Sequence, residues 1–216
     1  MDKQQILEQM KGRSKRVRNR ILLCVIGGVL LTLAALLALY LLLPEQESGG
    51  EKPIYFYPVS DVNIFESGEY HESDMIISYC SDPSGMGLTE EITAEDRASF
   101  DVGVQFLEVY LKTVISGDNE TYRSFFAESY LKEHSLPTFT QQMLYRMCIY
   151  YCTSERLADG TERVTYRLDY MIRKNNGTFR NDVESDAIRP QYVVLLIDGE
   201  GNVKIENIYT KTNILK

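Results

Sequence analysis

The chain is poor in the residues that most often carry catalysis and metal binding. Its 216 residues include no tryptophan, two histidines and four cysteines. Neither His71 nor His134 has ligand-like spacing to the other or to a cysteine, which argues against a zinc site. Phosphate-binding loops, dinucleotide-binding fingerprints, nucleophile elbows and zinc-binding His-Glu-x-x-His motifs are absent from the sequence. The sequence therefore predicts no catalytic residue, no cofactor, no metal and no enzyme activity.

Charge is distributed unevenly along the chain. The formal net charge of −8 disfavours nucleic-acid binding. Residues 1–20 hold seven Lys or Arg against two acidic residues, whereas residues 44–216 hold 16 Lys or Arg against 29 acidic residues. Residues 21–43 carry no charge. This division predicts a basic tail, an apolar segment and an acidic domain.

The uncharged segment has the length and composition of a transmembrane helix. Eleven of its 23 residues are leucine. As a helix it would span about 34 Å, which exceeds the roughly 30 Å of a hydrocarbon core. A cleaved signal peptide is the alternative, but its apolar region is shorter and ends in small residues, whereas this one ends in Leu43-Pro44. We expect a retained membrane anchor.

The flanking charges predict the orientation of that anchor. The basic tail, residues 1–20, precedes the helix, and the residues after it are mainly acidic. The positive-inside rule then places the N-terminus in the cytosol and residues 44–216 outside, at the cell membrane. The same basic residues attract anionic membrane lipid. Residues 44–53 are polar and contain Gly and Pro, as expected of a tether.

Two helices and two short apolar segments are expected in the first half of the extracytoplasmic part. Residues 54–92 form an extended segment whose apolar runs, 54–57 and 75–79, resemble strands and are expected to pack on a sheet. A helix is predicted to begin at Thr93, because apolar residues recur at spacings of three and four: Phe100, Val104, Leu107, Leu111 and Val114. Gly117 stops it, and a second helix covers residues 120–133.

Strand periodicity follows. Apolar residues alternate with polar ones in the clearest strand, at Val164, Tyr166, Leu168, Tyr170 and Ile172. It pairs through a turn with an earlier strand near 144–156. Residues 192–197 are apolar throughout, and the turn at 198–202 leads into a last strand at 203–210. The sequence predicts an α+β domain at 93–216, with two helices on a curved, four-stranded antiparallel sheet.

This order of elements resembles the NTF2-like superfamily, whose members have a cone-shaped α+β fold. The resemblance lies in a long amphipathic helix, a shorter one after Ser116-Gly117-Asp118, and then long strands. The whole layout is similar to that of the bitopic assembly subunits of type IV secretion and conjugation machines, which have a basic tail, one membrane helix and such a domain. The resemblance implies an extracytoplasmic scaffold in a Gram-positive bacterium, with envelope machine subunits or a homo-oligomer as partners.

Two groups of residues are candidates for chemistry. Asp169 could act as a general base only if it faced the cone, and strand alternation turns it away from Tyr166, Leu168 and Tyr170. Cys148 and Cys152 lie four apart on one predicted strand, so they are too distant to pair with each other. Cys80 could form a disulfide with Cys148 or Cys152; the alternative is three reduced thiols.

Residues 173–190 interrupt two strong strands with a mostly polar loop. Such loops often carry binding function, and the alternative is a solvated loop with a bulge. The candidates for a partner surface are charged or aromatic side chains in and beside this loop: Arg173, Lys174, Arg180, Asp182, Arg189 and Tyr192. A non-enzymatic scaffold or interaction module is the first hypothesis. A small-molecule or peptide binding module using the cone cavity is the second, and a cone-fold enzyme is the third.

Overall fold

The computed structural model describes residues 53–82 and 87–211. The basic tail at 1–20, the apolar segment at 21–43 and the tether up to residue 52 lie outside the described residues. Within the described ranges, no helix combines the length and apolarity that crossing a bilayer requires.

The predicted α+β class is confirmed, and the sheet is larger than predicted. Its six strands lie in the order β2-β1-β3-β4-β5-β6. Strands β3 to β6 form the predicted antiparallel meander, whereas β1 lies parallel to β3 and β2 pairs with β1. The sheet is therefore mixed, and the prediction of four antiparallel strands is wrong. The strands are β1 (Ile77–Cys80), β2 (Glu90–Glu91), β3 (Met143–Arg156), β4 (Glu162–Arg173), β5 (Gln191–Ile197) and β6 (Val203–Thr210).

The first helix, α1, covers Val102–Ser116 and begins nine residues later than the sequence predicted. Thr93 instead accepts a hydrogen bond from the Asp96 backbone N–H in a separate turn. Asp101 is the true N-cap, because its carboxylate accepts from the Val104 backbone N–H at 2.9 Å. Gly117 ends the helix in the left-handed conformation, with φ of 72°, as the sequence predicted.

The second predicted helix is divided into α2 (Asn119–Ser124) and α3 (Glu128–Glu133). The break follows from pairing with the edge of the sheet. Between the two helices, the Phe125 carbonyl accepts from the Ile205 N–H at 2.8 Å, and the Ile205 carbonyl accepts from the Ala127 N–H at 2.9 Å. These bonds to β6 replace helical hydrogen bonds, so tertiary contact overrides a continuous helical pattern.

Helix α1 packs on one surface of the sheet, called the inner face. Leu107, Tyr110 and Val114 are fully buried there, and so are Leu144, Leu168, Val193 and Leu195 of the strands. Gly103 allows a close approach, since an added Cβ would lie 2.7 Å from the Tyr166 hydroxyl. Aromatic rings fill the space between the helices and the sheet, including Tyr122 and Phe139 with ring centroids 4.9 Å apart. The interior of the predicted cone is thus occupied by side chains.

The expected extended segment at 54–92 contacts the end and the edge of the sheet. Residues 77–80 form β1 beside β3, as the sequence suggested, whereas residues 54–57 form no strand. The N-terminal arm, defined here as residues 53–65, is held at the end of the sheet where β4 finishes. The Tyr57 N–H donates to the Asn175 carbonyl at 2.9 Å, and the Ile64 N–H donates to Gln141 Oε1 at 3.0 Å.

Candidate functional site

The loop between β4 and β5 packs against the rest of the domain and does not extend into solvent. Asn175 has no exposed surface, and Phe179 and Val183 are also buried. The Asn175 side-chain amide organises the loop, because its Nδ2 donates to the carbonyls of Arg180 and Val183 at 2.9 Å each. Five candidate residues for the partner surface lie in this loop or immediately before it, and their charges are used within the molecule.

Arg180 and Asp182 form the buried pair. Arg180 is 5% exposed, and its guanidinium donates to both carboxylate oxygens of Asp182, at 2.5 and 2.9 Å. It also donates to the Tyr170 hydroxyl at 2.9 Å, and that hydroxyl donates to Gln191 Oε1 at 3.1 Å. Burial raises the pKa of Asp182, but the hydrogen bonds and charge of Arg180 outweigh this and lower it. A partner cannot reach Arg180, so its assignment to a partner surface is corrected to an internal role.

The remaining basic candidates are also bound to acidic groups of the same chain. Arg189 contacts Asp182, with Nε and Oδ2 at 3.5 Å. Arg173 binds Asp74 at 3.1 Å and donates to the Glu69 carbonyl, while Lys174 binds the Glu69 carboxylate at 2.7 Å. These pairs tie β4 and its loop to the residues that follow the arm. The polar composition of the loop therefore reflects intramolecular ion pairs.

The surface of the sheet opposite α1, called the outer face, bears the candidate functional site. Tyr192 lies here, stacked on Tyr209 with centroids 5.4 Å apart and planes at 12°. Lys211 Nζ lies 4.4 Å from the centre of the Tyr192 ring. Val194 and Leu196 of β5 are half-buried on the same face. Of the six sequence candidates, two lie on the outer face of the sheet: Tyr192 on β5, and Arg173 at the end of β4, where it is bound to Asp74.

A second group on the outer face centres on Arg167 and Asp169, the surface pair. Arg167 Nε lies 3.1 Å from Asp169 Oδ1, and its guanidinium carbon lies 4.0 Å above the Tyr150 ring. Burial raises the pKa of Asp169, and Arg167 only partly opposes that rise. Asp169 pairs across the strands with Cys148, away from the inner face. The predicted outward orientation of Asp169 is confirmed.

The described cysteines are free thiols, which agrees with the alternative of three reduced thiols and not with a disulfide of Cys80 with Cys148 or Cys152. The register explains this, because Tyr150 and not a cysteine lies opposite Cys80. Cys148 and Cys152 lie two residues to either side of Tyr150. Burial raises the pKa of both the Cys148 and the Cys152 thiol. Neither thiol is therefore set up as a reactive nucleophile.

A groove of about 390 Å³ lies between the arm and the starts of β3 and the loop. Gln142, which is 2% exposed, donates from Nε2 to the Thr140 carbonyl at 2.9 Å in its wall. The groove lies at the end of the sheet, not between α1 and the inner face. Its lining mixes apolar and amide groups with two cations and one carboxylate, including Tyr57, Val62, Gln141, Glu69, Arg173 and Lys174.

Sequence reasoning missed the partners of Tyr192. The predicted last strand contained Tyr209, but regular pairing from Ile197–Val203 would place Ile208 opposite Tyr192. A β-bulge between Val194 and Leu195 in the register shifts the pairing by one residue, so Tyr209 faces Tyr192.

In the described residues, no cluster of His, Cys, Asp and Glu has the geometry to hold a metal ion. His71 caps a short 3₁₀ turn, and His134 stacks on Tyr130 at 4.2 Å.

Comparison with known proteins adds no relative to these observations. No family model matches the chain, and neither a curated protein nor a solved structure matches it.

Proposed function

We propose that this protein is a non-enzymatic, single-pass membrane protein whose extracytoplasmic domain is an interaction module at the cell envelope. The uncharged segment at 21–43 and the basic residues before it support the anchor and its orientation. The single observation that carries the interaction role is the outer face. It presents stacked tyrosines and half-buried aliphatic side chains, and the long helix α1 packs on the opposite face.

The domain is proposed to be NTF2-like, and the protein to serve as a scaffold in a conjugation or secretion machine. The long helix α1, the left-handed Gly117 and the antiparallel meander β3 to β6 support the fold assignment. The parallel strand β1 would be an addition at the edge of that fold. The assembly role rests on the combination of basic tail, apolar segment and domain that the sequence analysis describes.

A second copy of the chain is the partner that the outer face fits best. Residues 44–216 carry 13 more acidic than basic residues, so most surfaces of two copies would repel each other. The outer face avoids this repulsion because its charges are paired within the face. Arg163 binds Glu206 with two bonds of 2.7 Å and Glu155 with one, and Arg167 contacts Asp169. An approximately neutral aromatic surface allows acidic copies to meet.

The absence of enzyme activity is proposed from how the interior polar groups are used. Tyr166 donates to Asp101 at 2.7 Å, and Asp101 also caps α1. Tyr170 is bonded to Arg180 and Gln191. Because these two hydroxyls already hold structural bonds and side chains fill the interior, the described residues leave little room for a substrate between α1 and the inner face.

Photo-crosslinking in native membranes tests the interaction role. A benzoylphenylalanine at position 192 is expected to give a product of twice the chain's mass. Val109, an exposed residue of α1 on the other side of the sheet, provides the matched control position. The proposal of self-association fails if both positions give the dimer product equally, or if position 192 crosslinks only to other proteins.

The anchor is tested separately by topology mapping. A reporter fused after Lys216 is expected to be active only outside the cytosol. Protease added to intact protoplasts is expected to remove the domain and to spare the basic tail. Cytosolic reporter activity would contradict the proposed orientation.

A ligand-binding role is the second candidate, and the groove beside the arm is the observation that favours it. Its volume and mixed lining suit a peptide or a small polar molecule. A compound that raises the melting temperature of the wild type but not of Val62→Arg would support this role. Val62 is 62% exposed and lines the groove, so its replacement should leave the fold unchanged.

A further inference from the structure

The exposed apolar side chains of the described residues are concentrated in the arm. Half of the large ones fall within its 13 residues, led by Tyr55 at 82%, Val62 at 62% and Val59 at 55% exposure, with Phe56, Tyr57 and Phe65. Asp61 is the single charged residue of the arm. In a domain with a large excess of acidic residues, this segment is both uncharged over residues 53–60 and rich in exposed rings.

The arm is a fixed surface, not a free linker. Its backbone is bonded to Asn175 and Gln141, as described above. The Phe56 ring packs over Gly177 so closely that a Cβ there would lie 2.9 Å from two of its ring atoms. One side of the arm is therefore committed to the domain, and Tyr55, Val59 and Val62 are displayed on the surface.

We propose that the arm is a membrane-contact surface that seats the domain on the outer leaflet of the bilayer. The inference rests on the anchor proposed above. If residues 21–43 span the membrane, nine residues separate them from Pro53, and nine residues reach at most about 30 Å. The arm is then the part of the domain that the chain itself delivers to the bilayer surface.

The composition of the arm fits the interfacial region of a bilayer. Tyrosine is enriched at that depth, because its ring is apolar and its hydroxyl can remain hydrated. The acidic remainder of the domain is repelled by anionic lipid, whereas a segment without charge over eight residues is not. Two prolines, Pro53 and Pro58, remove two N–H donors that would otherwise need partners in an apolar environment.

The proposal also orients the domain. Strand β4 runs from Glu162 at its hairpin with β3 to Arg173, which lines the groove beside the arm. Its twelve residues extend over about 36 Å. With the arm on the bilayer, the hairpin turn at 157–161 is expected to lie at the far end of the domain, away from lipid.

The absence of tryptophan makes a direct test possible with the full chain. Tyr55→Trp introduces one fluorescent reporter in the arm at a largely exposed position, and Ala158→Trp introduces the matched reporter at the hairpin turn. Each variant is reconstituted into phosphatidylcholine–phosphatidylglycerol vesicles, with and without bromine on the acyl chains near the headgroups. Circular dichroism and thermal melting confirm that both variants keep the fold.

The Tyr55→Trp emission is expected to shift to shorter wavelength and to fall in brominated vesicles, whereas the Ala158→Trp emission changes in neither respect. Equal quenching of both reporters, or of neither, would overturn the proposal. So would a shift of the Tyr55→Trp emission without quenching, since that indicates burial against protein. Flotation after alkaline washing separates the two levels of inference. A chain that floats with an unquenched arm contradicts only the seating, whereas a chain that does not float contradicts the anchor and with it the seating.

Discussion

The surface pair and the buried pair place the same residues at the same spacing in different surroundings. Arg167 and Asp169 lie within β4 on the outer face, and Arg180 and Asp182 lie in the loop that follows. The surface pair has one contact of 3.1 Å between side chains that are 25% and 18% exposed. The buried pair has two bonds of 2.5 and 2.9 Å between an arginine side chain that is 5% exposed and an aspartate side chain that is 28% exposed. Spacing alone therefore does not decide what such a pair contributes.

The difference lies in the groups around each aspartate. Arg180 and Arg189 both approach Asp182, so their charges outweigh its burial and lower its pKa from the ordinary 3.8. Asp169 has only Arg167 to oppose burial, and its pKa is raised from the same value. In the buried pair, the arginines stabilise the charged carboxylate of Asp182 more than burial destabilises it. In the surface pair, the effect of burial on Asp169 is larger than the effect of Arg167. Three predictions test this contrast, in order of expected effect, and a fourth tests the state of the cysteines.

The largest effect is expected from Arg180→Leu. The change removes both bonds to Asp182 and the bond to Tyr170, and it leaves a carboxylate without its main counter-charge. Breaking one side of a buried pair typically costs about 3–5 kcal/mol, and we expect the lower end of this range because the Asp182 side chain is 28% exposed. Urea denaturation measures the loss in the free energy of unfolding. Arg189→Leu is the control, because that side chain is more exposed; an equal loss from both variants would contradict the contrast.

The two aspartates are expected to respond to pH in opposite directions. Asp182 has a lowered pKa in the fold, so the stability that it contributes is present above about pH 4 and is lost as the pH falls further. Asp169 has a raised pKa, so its ionisation costs stability once the pH rises above 3.8. At neutral pH, Asp182→Asn is expected to destabilise the fold and Asp169→Asn to leave it unchanged or slightly more stable. Stability curves between pH 3 and 7 check both signs.

A smaller effect is expected from Arg167→Leu. The contacting atoms, Arg167 Nε and Asp169 Oδ1, are shielded from solvent, whereas the two side chains keep 25% and 18% exposure. We therefore expect this contact to contribute about 1 kcal/mol, the upper end of the range for exposed pairs. Its position over Tyr150 adds about 0.5–1 kcal/mol. The same denaturation measurement should give a loss well below that of Arg180→Leu. A loss as large as that of Arg180→Leu would show that another surface covers the outer face and excludes solvent from the pair.

A reducing agent is expected to have no effect on the melting temperature. Because Cys80, Cys148 and Cys152 are free thiols, dithiothreitol should leave the melting temperature unchanged. Thiol titration should find the fully buried Cys80 unreactive in the native state and accessible in urea. A melting temperature that falls with dithiothreitol would instead show a disulfide between Cys80 and one of the other two.

Several elements could be predicted because their signals are local. The alternation in β4, the turn before β6 and the stop at Gly117 each depend on neighbours in sequence. The boundaries of the helices could not be predicted equally well. Asp101 competes with Thr93 for the N-cap, and the edge of β6 interrupts the second helical pattern at residues 125–127. Both outcomes depend on contacts between residues that are far apart along the chain.

The candidate site was less predictable than the fold. The charged loop suggested a binding surface, but Asn175 folds it back and places Arg180 beside Tyr170. The aromatic stack on the outer face depends on one bulge, since without it Ile208 would face Tyr192. No periodic pattern in the sequence marks the folding of the loop or the position of the bulge, so neither could be predicted from the sequence.

The sequence by itself determined the α+β class, the meander of four strands and the separation of a basic, an uncharged and an acidic part. Each of these follows from periodicity or composition, which act over a few residues at a time. Only the tertiary structure decided which charges are used internally, which tyrosines meet and where the arm lies. Those outcomes require long-range pairs such as Arg173–Asp74 and Tyr57–Asn175. Burial and the choice of partners are set by the whole fold. The same Arg-x-Asp spacing therefore gives a doubly hydrogen-bonded pair at Arg180–Asp182 and a single contact on the outer face at Arg167–Asp169.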